Sequence, residues 1–248
     1  MVADLPRTPP PPLDSRCALF LDVDGTLLDF APWPDAVTVP DALPEVLRLL
    51  HRELDGALAL ISGRPLRSLD TLFHPLRLPA AGMHGLELRN GVSLRSPPPA
   101  PAALADVLED AHAFAAAHPG TVVEDKGTSI GLHWRNAPGH ADAVHGFAEG
   151  TLRRLPGYCL QAGNHVVELR PKGADKGDAI DLLMEQEPFR ERRPVFVGDD
   201  LTDEHGFAVV NARGGASVLV GRRSPSAALH GLADTAAVLE WLQEGTSA

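Results

Sequence analysis

The chain has 248 residues, 44% of them hydrophobic, enough to bury a sizeable core as one large domain or two small ones. Its formal net charge of −11 disfavours nucleic acid and anionic membranes as partners. No apolar stretch approaches the roughly 20 residues of a membrane-spanning helix, and no secretion signal opens the sequence, so a soluble, cytoplasmic protein is expected; separately, the chain is expected to act as a monomer. Cys17 and Cys159 lie far apart, form no metal-ligand spacing and fit a reducing compartment.

Residues 1–15 include Pro6 and Pro9 to Pro12, lack the donors for regular ladders, and read as a flexible or polyproline-like tail. The apolar run Cys17-Ala18-Leu19-Phe20-Leu21 predicts a buried parallel strand that stops at Asp22-Val23-Asp24-Gly25-Thr26. Residues 41–54 then form a helix, with Leu43, Val46, Leu47, Leu50 and Leu54 on one face. A second buried strand, 57–61, ends in Ser62-Gly63-Arg64-Pro65, and Pro65 suits the first turn of a helix running to about Phe73. Residues 79–95 read as a third strand and a hairpin, the strand passing through Gly82 to Leu88 and turning at Asn90-Gly91.

The texture changes at Pro97, Pro98, Pro99 and Pro101. Residues 102–117 form an alanine-rich helix, followed by strands over 121–126 and 129–135, a helix over 140–154, and strands over 158–162 and 165–170. That order suits an antiparallel sheet with helices on one face, an α+β insert spanning 97–171. The α/β alternation then resumes over 172–248, continuing the unit begun at 16–96. It has a helix at 178–187, a strand at 194–197 ending in Gly198-Asp199-Asp200, a short helix capped by Thr202, a strand at 216–220 and a last helix at 234–243.

Three strands of the parallel part end in polar residues: Asp22 and Asp24, Ser62, and Asp199 and Asp200. In a parallel sheet these ends share one edge and can converge. Each alone also fits an ordinary acidic turn. Carboxylates from two strands would repel unless a cation joined them, and hard oxygen ligands favour Mg²⁺. Lys176 opens a helix, where it opposes the dipole unless an anion offsets it. A nucleophilic aspartate, a hydroxyl donor, a lysine and a magnesium ion together describe phosphoryl transfer. In that chemistry Ser62 and the Gly63 N–H bind a phosphate oxygen, and Asp24 protonates the leaving alcohol and then deprotonates water.

The opening Asp22-Val23-Asp24-Gly25-Thr26 resembles the haloacid dehalogenase superfamily of phosphohydrolases. Ser62, Lys176 and Gly198-Asp199-Asp200-Leu201-Thr202-Asp203-Glu204 are similar to its second, third and fourth motifs, in the same order. More narrowly, Glu124-Asp125-Lys126-Gly127, Leu132-His133-Trp134-Arg135 and Val167-Glu168-Leu169-Arg170-Pro171-Lys172-Gly173 resemble trehalose-6-phosphate phosphatases. The resemblance implies a Rossmann-like core with an inserted cap. It implies that Asp22 forms a phosphoaspartate, that Asp22, the Asp24 backbone carbonyl and Asp199 bind Mg²⁺, and that Asp200 and Asp203 support them. The substrate it implies is a small sugar phosphate, trehalose 6-phosphate.

In residues 129–135, Ile130, Leu132 and Trp134 alternate with Gly131, His133 and Arg135, so the first set packs on helices and the second faces an open side. Mixed acids and bases there suit sugar hydroxyls, and cross-strand ion pairs on a solvated face are the plainer alternative. The resemblance raises Glu124, Lys126, Arg135 and Glu168 to substrate contacts, while Gly163-Asn164-His165 departs from that family's lysine-containing turn. Arg64, His84 and Gly85 are further candidates for the substrate entrance. Phosphatases of other sugar phosphates, such as sucrose 6-phosphate or a glycosyl phosphoglycerate, share this chemistry. A non-catalytic sugar-phosphate-binding regulator is the rival from another class, and the intact Asp22, Asp24, Lys176 and Asp199 set argues against it.

Overall fold

The computed structural model describes residues 7–31, 33, 36–91 and 93–246. In chain order, β1 (Cys17–Leu21), α1 (Leu43–Glu53), β2 (Leu58–Ile61), α2 (Leu66–Leu72) and β3 (Ala80–Gly82) alternate, and two short strands follow, β4 (Glu87–Asn90) and β5 (Ser93–Arg95). A different series comes next: α3 (Ala103–Ala117), β6 (Val122–Asp125), β7 (Ile130–His133), α4 (Ala141–Leu152), β8 (Tyr158–Gly163) and β9 (Val166–Pro171). Alternation returns with α5 (Lys176–Met184), β10 (Arg193–Gly198), α6 (Glu204–Ala212), β11 (Ala216–Val220), β12 (His230–Leu232) and α7 (Thr235–Gly245). The chain divides into two compact units, the second made of Pro97–Gly173 with the stretch Ala31–Ala36. Among the described residues, no helix is long and apolar enough to cross a membrane.

The first unit is a mixed α/β structure on an eight-stranded sheet in the order β12-β11-β10-β1-β2-β3-β4-β5. From β12 to β3 the pairings are parallel, and β4 and β5 add antiparallel pairs at one edge. Every residue of β1, β2 and β11 is buried, so both faces of the sheet centre are covered, which is why these segments read as unbroken apolar runs. Phe20 stacks on Phe189 at 5.4 Å within that core. Because β2, β1 and β10 are parallel neighbours, their carboxyl ends lie along one edge, and Ser62, Asp22 and Asp199 directly follow those ends.

The second unit is a four-stranded antiparallel sheet, β6-β7-β9-β8, with a separate apolar core. Val107 and Ala111 of α3 and Val144 and Ala148 of α4 meet Ile130, Leu132, Val167 and Leu169 from the sheet.

Three local expectations are corrected. Residues 7–15 are docked rather than free (Pro6 lies outside the described residues). Thr8 bridges to His230 of β12, the Trp241 indole N–H donates to the Pro11 carbonyl at 3.2 Å, and Leu13 is buried. Proline loses its donor but keeps its carbonyl, and here the carbonyl is what the indole uses. The strand expected across 82–88 is broken by a 3-10 turn at Met83–Gly85, where Met83 and His84 take φ 49 and 55. Asp200, not Thr202, caps the turn after β10, accepting the Leu201 N–H at 2.7 Å, because Thr202 already lies inside that turn.

Candidate active site

Strand pairing itself places the first carboxylate. The N–H of Asp22 donates to the Val197 carbonyl of β10 at 3.0 Å, so the residue is held in register as it leaves β1. The chain then folds back sharply: the N–H groups of Leu27 and Leu28 both donate to the Val23 carbonyl at 2.9 Å, and Gly25 takes φ +84. A Cβ on Gly25 would stand 2.3 Å from Asp199 Oδ2, so glycine is what lets the β10 end approach the β1 turn.

Lys176, the first residue of α5, is buried and donates to Asp22 Oδ1 and to Asp203 Oδ1, each at 2.7 Å. The Thr26 hydroxyl donates to Asp22 Oδ2 at 3.2 Å. Asp203 Oδ2 accepts the backbone N–H groups of Asp199 and Asp200 at 3.0 and 2.9 Å. Asp22, Asp199 and Asp203 bring carboxylate oxygens within 4.8 Å of one another. Asp199 Oδ1 is buried and has no hydrogen-bond partner.

Three acids thus face one ammonium. Burial pushes the Asp22 carboxyl up to about 7 against the pull of Lys176, and burial together with Asp22 and Asp203 pushes Asp199 up to about 9. Burial also works against the Lys176 ammonium, but the carboxylates of Asp203 and Asp22 override it and hold its pKa above the ordinary lysine range. The surplus is negative, the donors are hard oxygens, and one oxygen is left over. A divalent cation fits that set.

The second strand end is built around Ser62. Its N–H donates to the Ala81 carbonyl at 2.8 Å, and its Oγ accepts the Arg64 N–H at 3.1 Å. Arg64 forks onto Asp24, Nε to Oδ2 and Nη2 to Oδ1, both at 2.7 Å. The guanidinium expected at the substrate entrance therefore sets the direction of the Asp24 carboxylate. The His84 N–H donates to the Ser62 carbonyl at 2.9 Å, and its ring lies so close over Gly63 that a Cβ there would be 2.7 Å from Nε2. Gly85, at φ +97, packs against the backbone carbonyl of Asp175.

On the antiparallel unit, taken by itself, Ile130, Leu132 and Trp134 are buried as their alternation requires. On the opposite face Lys126 and Glu168 are buried within the chain as a whole. They pair at 2.5 Å, and the Ser129 hydroxyl donates to the other Glu168 oxygen at 2.7 Å, so each buried charge has a partner. Glu124 lies 2.9 Å from His133 Nε2 and 3.8 Å from Lys126. Burial opposes its charge, but Lys126 and His133 outweigh that and lower its pKa. Arg135 Nη2 donates to the Asn164 carbonyl at 3.0 Å in the neighbouring turn.

Residues 20–235 match the family model of trehalose-phosphatases. The chain belongs to the trehalose-phosphatase family. It is 45% identical over 244 residues to trehalose-6-phosphate phosphatase of Escherichia coli (strain K12), covering 98% of this chain and 91% of that one. It is 42% identical over 210 residues to a probable trehalose-phosphate phosphatase of Sinorhizobium fredii, covering 84% and 79%. The C-terminal domain of C. albicans trehalose-6-phosphate phosphatase superposes with a TM-score of 0.81 at 22% identity, covering 94% and 93% of the two chains, a likeness of fold.

At the parallel edge this chain brings together Asp22, Ser62, Lys176, Asp199 and Asp203, with Asp24 joined through Arg64. Thr26 was part of a motif but carried no expected role, and only the turn geometry brings its hydroxyl onto Asp22. Asp203, expected with Asp200 to support the metal-binding groups, accepts the Asp199 N–H and is the second partner of Lys176. A further group, Asp175, Asp178 and His205, clusters at the start of α5. It is occupied with itself: Asp175 and Asp178 form a reciprocal capping box, and His205 Nδ1 lies 2.6 Å from Asp175.

Proposed function

We propose that this chain hydrolyses trehalose 6-phosphate to trehalose and phosphate, with Asp22 as nucleophile and Mg²⁺ held by Asp22, Asp199 and the Asp24 backbone carbonyl. The observation that carries the reading is the buried Asp22 carboxylate, bonded to Lys176 beside an Asp199 oxygen that has no partner. Once bound, the cation supplies positive charge against which a phosphate dianion can approach two carboxylates.

The chain's own groups then do the following. Asp22 attacks phosphorus, the P–O bond to the sugar breaks, and Asp24, which enters the cycle protonated on an oxygen released by Arg64, gives that proton to the departing oxygen. Asp24 next takes a proton from water as the water oxygen displaces Asp22, restoring the free carboxylate and releasing phosphate. Lys176 offsets the charge of Asp22 during attack, and Arg64 fixes where the Asp24 carboxylate points. Ser62 and the Gly63 N–H hold a phosphate oxygen, and Asp200 and Asp203 brace the loop that carries Asp199. Glu124, Lys126, Arg135 and Glu168 meet the sugar hydroxyls, and His84 and Gly85 shape the loop around Ser62. The support for the trehalose moiety is the 45% identity to the E. coli enzyme of that name.

Phosphate release from trehalose 6-phosphate, sucrose 6-phosphate, glucose 6-phosphate and a glycosyl phosphoglycerate, each with and without EDTA, tests the reading. Turnover of the first alone, abolished by EDTA, is expected. Turnover confined to the others, or undiminished in EDTA, would refute the substrate or the metal.

A second expected result concerns the turn. In Gly25→Ala the new methyl stands 2.3 Å from Asp199 Oδ2 and the residue must hold φ +84. The strain costs about 1–2 kcal/mol of stability, and the displaced Asp199 carboxylate lowers kcat by about 100-fold. Urea unfolding and steady-state kinetics read the two effects separately, and a variant with normal kcat would contradict the close approach.

A further inference from the structure

After β11 the chain loops back beside the end of β10, and one arginine ties the two together. Arg223 Nη2 donates to the Asp200 carbonyl at 3.1 Å, Nε to the Asp199 carbonyl at 3.4 Å, and Nη1 to the Pro225 carbonyl at 3.0 Å. Nη2 also pairs with Glu204, the first residue of α6. The other Glu204 oxygen accepts the Ala227 N–H at 2.7 Å, so the acid binds both the guanidinium and the loop that carries it. On the opposite side of the same two residues, Asp203 Oδ2 accepts the N–H groups of Asp199 and Asp200. The backbone of Asp199 and Asp200 is thus gripped from both sides, amides by Asp203 and carbonyls by Arg223.

From this double grip we propose that Arg223, oriented by Glu204, is a positioning residue that aims the Asp199 carboxylate and so sets the affinity of the site for its divalent cation. The proposal rests on the metal assignment made above. Asp203 cannot do this alone, because its other oxygen is committed to Lys176. The planar, five-donor guanidinium reaches several carbonyls at once, which a single lysine ammonium on a flexible stem cannot hold in the same geometry. Outer partners of this kind orient a ligand that they do not replace.

The test is Mg²⁺ titration by calorimetry into the unaltered chain, Arg223→Ala, Arg223→Lys, Glu204→Gln and Asp199→Asn. Thermal midpoints in EDTA and KM at saturating Mg²⁺ are measured alongside. Arg223→Ala is expected to weaken Mg²⁺ binding about 10-fold or more, with Arg223→Lys recovering little of it and KM within about twofold of the unaltered value. A merely structural tether would lower the thermal midpoint and leave the Mg²⁺ Kd unchanged, and that result overturns the proposal. Should Arg223→Ala not fold, Arg223→Lys and Glu204→Gln read the same quantity. If Asp199→Asn loses Mg²⁺ while all three strap variants keep full affinity, only the role of Arg223 falls. If the unaltered chain binds no Mg²⁺, the metal assignment falls and takes this proposal with it.

Discussion

Asp22→Asn is expected to abolish phosphate release, lowering kcat by at least about 10⁴-fold, because an amide oxygen cannot take up the phosphoryl group. The same substitution is expected to stabilise the metal-free chain at pH 8. Asp22, Asp199 and Asp203 share one countercharge, Lys176, so removing one carboxylate lessens a repulsion and still leaves the lysine paired with Asp203. The pH dependence follows with a definite sign. The Asp22 carboxyl is raised from 3.8 to about 7 by burial, and that of Asp199 from 3.8 to about 9. Between those limits the folded chain holds protons that the unfolded chain has lost. Stability in EDTA is therefore full below about pH 4 as far as these groups are concerned, and falls as pH rises through 7 and 9. Each carboxyl contributes a slope of up to about 1.4 kcal/mol per pH unit. Asp22→Asn removes one of the two contributions, so its melting curve against pH is flatter and crosses above that of the unaltered chain. Mg²⁺ should flatten the unaltered curve as well. Retained turnover, or a variant clearly less stable than the unaltered chain at pH 8 in EDTA, would count against both the nucleophile and the charge surplus.

Lys176→Met is the most damaging single change expected. It strips the buried ammonium from two buried carboxylates, Asp22 and Asp203, and a methionine of similar length offers neither charge nor donor. Breaking a buried pair on one side costs about 3–5 kcal/mol. Activity is expected to vanish as well, since the charge of Asp22 then meets phosphate unopposed. The loss of stability should shrink on acidification, as Asp22 takes up a proton and the uncompensated charge disappears. Urea midpoints at pH 5 and pH 8 measure this directly. A variant as stable as the unaltered chain at pH 8 would show that the lysine is not what holds the acids together.

The parts of the fold that were legible in the residues are those where burial leaves no choice. Runs such as Cys17–Leu21 and Ala216–Val220 are enclosed on both faces, so every position is apolar and the strand announces itself. Their polar ends are equally plain, and Asp22, Ser62 and Asp199 do follow neighbouring strands. What stayed hidden depends on geometry that composition does not encode. β12 is only three half-buried residues, His230–Leu232. The left-handed Met83 and His84 carry no glycine or asparagine signal, yet they bend the chain so that His84 lies over Gly63. Arg64 and Arg223 look like any loop arginines, and their partners, Asp24 and the carbonyls of Asp199 and Asp200, are distant in sequence. On the antiparallel sheet, alternation correctly separated the faces, but it could not tell that Lys126 and Glu168 would form a buried ion pair.

The pairing of β1 with β10 has a bearing on how the molecule comes into being. Cys17 and Arg193 sit side by side in the sheet although they are 176 positions apart. Joining such remote segments requires a large loss of chain freedom before any contact repays it, so this pairing is expected to form late in folding. During synthesis, β1 keeps one flank open until residues 193–197 have been made. The segment that ends the wait is also the one that delivers Asp199, and so a half-made chain carries Asp22 without the acid that comes to share its end of the sheet.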